Sequence, residues 1–172
     1  MNSTVRIALA AVLCTAAVAC SKKVKETPPA DTTTGETPVV TTPAPTTPGM
    51  YGPADLDTDA CLRQRVIYFD FDQDVLRPEF QAAVGCHAKY LRDRPTARMT
   101  LQGHADERGS REYNLGLGER RGNAVSSALQ ANGGSASQQM VNSSGEEVPV
   151  CTESNEDCWA KNRRVEIIYT AK

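Results

Sequence analysis

Aromatic residues are scarce in this chain. Phe, Trp and Tyr make up 5% of its 172 residues, and there is one Trp. So few rings offer no stacking platform for sugars or nucleobases. An excess of one charge sign is lacking too. The formal net charge is −2, and from residue 61 onward basic and acidic side chains are equal in number. Nucleic-acid binding needs a basic surface to neutralise phosphates, so that function is excluded, and no long-range field steers the domain toward an anionic partner. No apolar run reaches the roughly 20 residues that cross a bilayer. Histidine is limited to two residues. The cysteines do not fall at the Cys-x₂₋₄-Cys spacing that a zinc site wants, so no metal is expected.

The chain divides by composition into three parts. Residues 1–19 read as an export signal, with Arg6 as the positive n-region and Ile7 to Ala19 as a short apolar run. The run ends Ala17-Val18-Ala19-Cys20, which resembles a bacterial lipobox. That resemblance implies cleavage before Cys20, a diacylglycerol on its thiol and an acyl chain on its new amine. No other cofactor is expected. Ser21, rather than Asp, after the lipidated Cys implies sorting to the outer membrane. Residues 20–58 are a Thr/Pro-rich linker, as in Thr41-Thr42-Pro43-Ala44-Pro45. It has too little apolar surface to offset its ordering entropy. Its prolines favour polyproline II at about 3.1 Å per residue, a reach of roughly 115 Å. Residues 59–172 are expected to form the folded domain, large enough for one core.

Within that domain Val66–Phe69 is β-rich, and Pro78 suits a first helical turn. Phe80, Ala83, Val84, His87 and Leu91 then recur at helical spacing until Pro95. Met99–Gln102 is a second strand. Leu117, Ala124, Val125, Ala128 and Leu129 mark a second helix, closed by Asn132-Gly133-Gly134. Met140–Ser144 and Val165–Tyr169 complete a β-α-β-α-β-β order, with an acidic loop between the last two strands. This predicts an α+β domain with helices on one face of a mixed sheet. Four cysteines remain in it, and export favours disulfides. Three pairings are open. The favoured one is Cys151–Cys158, closing a short loop, with Cys61–Cys86 closing a longer one.

The stretch from Leu101 to Leu129 carries the chemistry. A strand leads through a loop with Gly103, Asp106 and Gly109 into the helix bearing Arg120 and Arg121. A carboxylate and a guanidinium brought onto one rim suit a ligand with an ammonium and a carboxylate on the same carbon. A structural ion pair is the other reading that the residues leave open. His104, Asp106 and Ser110 could be imagined as a hydrolytic triad. Three residues of one loop do not readily place nucleophile, base and orienter in line, so no catalytic residue is expected.

Gly103-His104-Ala105-Asp106-Glu107-Arg108-Gly109, Tyr113-Asn114 with Leu117, Arg121, Val125 and Leu129, Tyr68-Phe69-Asp70-Phe71-Asp72, and Ala160-Lys161-Asn162-Arg163-Arg164-Val165-Glu166 occur in one order. Together they resemble the OmpA-like peptidoglycan-binding domain in the form found in peptidoglycan-associated lipoproteins. The resemblance covers residues 60 to 170. It implies a two-layer α+β fold and non-covalent binding to meso-diaminopimelate in the peptidoglycan stem peptide. Asp106 would take the ammonium and Arg121 the carboxylate. Phe71 and Asp72 would line the pocket, with Asn114 and Leu117 flanking it and His104 ordering the loop. Replacing Asp106 or Arg121 is then expected to abolish binding and leave the fold intact. The resemblance also implies a lipid-anchored outer-membrane protein facing the periplasm. Its partners would be peptidoglycan and Tol-system proteins such as the propeller protein TolB, in envelope constriction at division. An OmpA-like lipoprotein without Tol partners is the alternative. One departure is Gly122, where the family usually has Ala, at a cost of about 1 kcal/mol in helix propensity. Another is Gly118, where the wider superfamily has Ser.

Overall fold

The computed structural model describes residues 49–172. The export signal, Cys20 and the linker as far as residue 48 lie outside the described residues. The elements are α1 (Asp55–Thr58), β1 (Val66–Tyr68), α2 (Gln81–Asp93, preceded by a 3₁₀ turn at Pro78–Phe80), β2 (Arg98–His104), α3 (Arg111–Ala131), β3 (Gln139–Gly145), α4 (Glu156–Asn162) and β4 (Arg164–Ala171). The sheet order is β1-β4-β2-β3. β4 is antiparallel to β1 and to β2, and β2 is parallel to β3. The sheet is therefore mixed, as expected for an α+β domain.

Strand alternation sets the core. Met99, Leu101, Val165 and Ile167 are buried under the helices with Ile67 and Phe69, against Val84, Leu91, Val125 and Leu129. Each fully buried side chain of this size contributes roughly 1.5–3 kcal/mol relative to exposure. Pro78 stands at the start of its 3₁₀ turn, where its missing N–H costs nothing.

The structure departs from the sequence reading in three places. The folded unit starts earlier than Asp59: Leu56 in α1 is in the core, and the Tyr51 N–H donates to Asp93 Oδ2 at 2.8 Å. The acidic loop contains α4, which Asn155 caps by accepting from the Cys158 N–H at 3.0 Å. Seven residues carry no periodic stripe that would announce them. The buried face of α3 is Asn114, Leu117, Gly118, Arg121, Gly122, Val125, Ser126 and Leu129, whereas Ala124 and Ala128 are only half-buried. The glycines face the sheet because α3 runs very close to β2 and β3. A Cβ on Gly122 would meet Val141 Cγ1 at 2.6 Å, so the space an Ala methyl would take is filled from β3. Both disulfides form as favoured, Cys61–Cys86 and Cys151–Cys158, with Cα separations of 6.1 and 5.2 Å. The two bridges take up all four cysteines among the described residues.

Candidate functional site

The site lies where β1 and β2 end and α3 begins, on the same side of the sheet. β1 leads into the Asp70–Val75 loop, and β2 leads into the Ala105–Gly109 loop. α3 starts beside both, with Ser110 as its cap: the Ser110 hydroxyl accepts from the Tyr113 N–H at 3.2 Å. Phe71, Asp72, Asp106, Arg108, Gly109, Tyr113, Leu117 and Arg121 enclose a cavity of about 250 Å³.

Arg121 is fully buried at the base of this cavity. Its guanidinium donates to three backbone carbonyls: Gln73 O at 2.8 Å, His104 O at 2.9 Å and Asp70 O at 3.1 Å. It ties the first loop to the end of β2. Burial lowers its pKa to about 10 and the Asp106 carboxylate opposes that shift, so it stays charged at neutral pH.

Asp106, at 4% exposure, is held by two arginines. Arg108 grips it through both prongs, Nε to Oδ1 at 3.1 Å and Nη2 to Oδ2 at 2.8 Å. Its own N–H donates to Oδ1 as well. Arg163 Nη1 reaches Oδ2 at 3.3 Å. Burial pushes the Asp106 carboxyl up, but the bonds from Arg108 and Arg163 outweigh it and hold the pKa below its usual value. The Arg108 guanidinium lies 4.0 Å from the Phe71 ring centre and 4.2 Å from that of Trp159, a cation–π sandwich. Glu156 pairs with both Arg108 (3.4 Å) and Arg163 (2.7 Å).

Five of the residues expected at the site, Phe71, Asp72, Asp106, Leu117 and Arg121, line the one cavity. Phe71 is 54% exposed at its mouth. Asp72 has φ 55° and accepts from the Tyr113 hydroxyl. Asn114 and His104 are not part of the lining. Asn114 is buried and donates to Glu146. His104 gives its carbonyl to Arg121, while its buried ring lies beside Arg164 and Glu166 and stays neutral, with burial lowering its pKa to about 4. This also disposes of the triad: Ser110 is a helix cap, and the His104 ring has no hydrogen-bond partner. Nothing in the sequence marks Arg108, Tyr113, Trp159 and Arg163 as site residues, although all but Trp159 lie inside the four motifs. A larger groove of about 570 Å³ runs between β1 and α4 past Tyr68, Phe80 and Lys161. Its Arg77 is paired with Glu79 and Asp70, and the concentrated chemistry lies in the smaller cavity.

The OmpA family profile matches residues 68–163. The peptidoglycan-associated lipoprotein of Pseudomonas aeruginosa is 46% identical over 113 residues, 65% of this chain and 67% of that protein. The one from Haemophilus influenzae is 37% identical over 121 residues, 70% of this chain and 76% of that protein. The crystal structure of the peptidoglycan-associated lipoprotein from Burkholderia pseudomallei aligns with a TM-score of 0.66 at 40% identity, covering 67% of this chain and 98% of that one. The chain belongs to the OmpA family and, within it, to the peptidoglycan-associated lipoproteins. This is a family of binding proteins and not of enzymes.

Proposed function

We propose that the 250 Å³ cavity binds the meso-diaminopimelate end of a peptidoglycan stem peptide. The observation that carries this is the convergence of Phe71, Asp72, Asp106, Leu117 and Arg121, from three separate stretches, on one cavity holding both charge signs. Its volume is below the roughly 300–1,000 Å³ of pockets for whole small molecules, which suits the end of a side chain reaching in from a polymer. Asp106 supplies the acceptors for the ammonium, with Arg108 yielding one of its bonds. Arg121 supplies positive charge for the carboxylate, and three of its five N–H groups are already engaged. Phe71 and Leu117 form the apolar wall along the methylenes.

In the same proposal Cys20 carries a diacylglycerol and an N-acyl chain and fixes the protein to the outer membrane, since two or more acyl chains hold a protein there durably. The domain then faces the periplasm and ties that membrane to the wall, with Tol-system proteins such as TolB as partners at an overlapping surface. The alternative, the same tether without Tol partners, is separated by pull-down from envelope extract. Sedimentation with purified sacculi tests the binding: wild type pellets with intact sacculi and releases no soluble fragments, and Asp106→Asn stays in the supernatant. Equal pelleting of the two would contradict the assignment. Intact mass showing an unmodified Cys20 in mature protein would remove the anchor.

A further inference from the structure

The segment between β3 and β4 reaches the site from outside the strand–loop–helix core. Four contacts cross from it to Glu107 and Arg108. Ser154 Oγ donates to Glu107 Oε1 at 2.7 Å and Trp159 Nε1 donates to the same oxygen at 3.0 Å. The Trp159 ring covers Arg108, and Glu156 pairs with it at 3.4 Å. Arg108 in turn holds Asp106. Glu156 also pairs with Arg163 at 2.7 Å, and at the start of the segment Glu146 and Glu147 bond Asn114 and Arg111. Residues 152–157 are exposed, and α4 has 7 residues, too few to be helical unaided. The stretch from Val150 to Cys158 is further held by the Asn162 side chain, which accepts from Val150 N and Cys151 N and donates to Cys151 O, and by the bridge from Cys151 to the buried Cys158. The Glu153 N–H also donates to Cys158 Sγ.

We propose that the Cys151–Cys158 disulfide is a positioning element of the ligand site: it holds Ser154, Glu156 and Trp159 against Glu107 and Arg108, and so sets the Arg108–Asp106 pair that the ligand's ammonium must engage. This rests on the peptidoglycan reading above. The Cys61–Cys86 bridge lies elsewhere, tying the segment before β1 to α2, and contributes only to overall stability.

The test compares full-length lipoprotein in detergent, wild type, Cys151→Ser/Cys158→Ser and Cys61→Ser/Cys86→Ser, by sedimentation with sacculi, thermal melting and tryptophan emission. Trp159 is the single tryptophan, so its emission reports this contact alone. The Cys151/Cys158 variant should need at least about fivefold more sacculi for half-maximal pelleting, with red-shifted emission and a melting temperature within a few degrees of wild type. The Cys61/Cys86 variant should melt lower and, below its melting range, bind and emit as wild type does. Wild-type binding and emission in the Cys151/Cys158 variant would overturn the proposal. If that variant does not fold, Trp159→Ala must lose affinity with the bridge intact, and Trp159→Phe must recover it; wild-type affinity in Trp159→Ala overturns the proposal. If wild type itself fails to pellet, the peptidoglycan reading falls, and unchanged emission in the folded Cys151/Cys158 variant still refutes the positioning role.

Discussion

Gly103 in β2 and Gly118 in α3 meet backbone to backbone. A Cβ on Gly103 would stand 1.9 Å from the Gly118 carbonyl oxygen, and one on Gly118 would stand 2.4 Å from Ser143 Oγ and 3.0 Å from the Gly103 carbonyl oxygen. This contact places the start of α3 on the end of β2, and with it Arg121 within reach of the His104 carbonyl.

Gly103→Ala should therefore destabilise the domain by about 3 kcal/mol or more, because the obstacle is backbone and cannot rotate away. Gly122→Ala should cost far less. Its obstacle is the Val141 side chain, which can shift, and helix propensity returns about 1 kcal/mol. Urea titration followed by circular dichroism ranks the two. Equal midpoints would mean that the helix and strand separate more easily than their packing implies.

Arg121→Lys should unfold the domain more readily as well as weaken binding. A lysine ammonium cannot reach three diverging carbonyls as a planar fork does, and each buried acceptor left alone costs about 1–3 kcal/mol. This corrects the expectation that the substitution leaves the fold intact. A wild-type urea midpoint in this variant would show that the loop from Asp70 to Gln73 is held by something other than Arg121.

The two histidines make stability depend on pH. His87 is fully buried, and burial lowers its pKa to about 4 despite the Gln64 carbonyl at its Nε2. Nε2–H donates to that carbonyl, and Nδ1 accepts from the Tyr169 hydroxyl at 2.9 Å. His104 is likewise lowered to about 4. Unfolded histidine titrates near 6.5, so between about pH 6.5 and 4 the unfolded chain binds more protons and stability falls as pH falls. The slope is roughly 1.4 kcal/mol per pH unit per histidine. Urea midpoints at pH 7.5 and pH 5 should differ accordingly, and His87→Gln should show about half the wild-type change. A midpoint constant over that range would contradict neutral burial of both rings.

How much of this was legible in the sequence depends on the element. β2, α3 and β4 carry clear hydrophobic spacing, which locates each to within a few residues. The buried face of α3 departs from the apolar pattern at Ala124 and Ala128 because close approach to the sheet selects glycine, which periodicity of apolar residues does not register. α4 was hidden because its order comes from Asn155 and a disulfide. At the site, Asp106 and Arg121 stand out by their chemistry on the strand–loop–helix stretch, and Phe71, Asp72 and Leu117 by motif resemblance. Arg108 did not stand out because a charged residue two positions after an acid reads as solvated surface. Only the fold shows it sandwiched between Phe71 and Trp159, which are 88 positions apart in sequence.

The most direct test of the central claim is calorimetric titration of the protein with two stem tripeptides. One ends in meso-diaminopimelate and the other in L-lysine, which keeps the side-chain ammonium and lacks the neighbouring carboxylate. A cavity that reads both charges should bind the diaminopimelate peptide and hold the lysine peptide at least about tenfold more weakly, the worth of one charge-assisted hydrogen bond. Asp106→Asn should bind neither peptide measurably, because both present the ammonium that Asp106 takes. Equal affinity for the two peptides, or wild-type affinity for the diaminopimelate peptide in Asp106→Asn, would show that this cavity does not recognise the zwitterion.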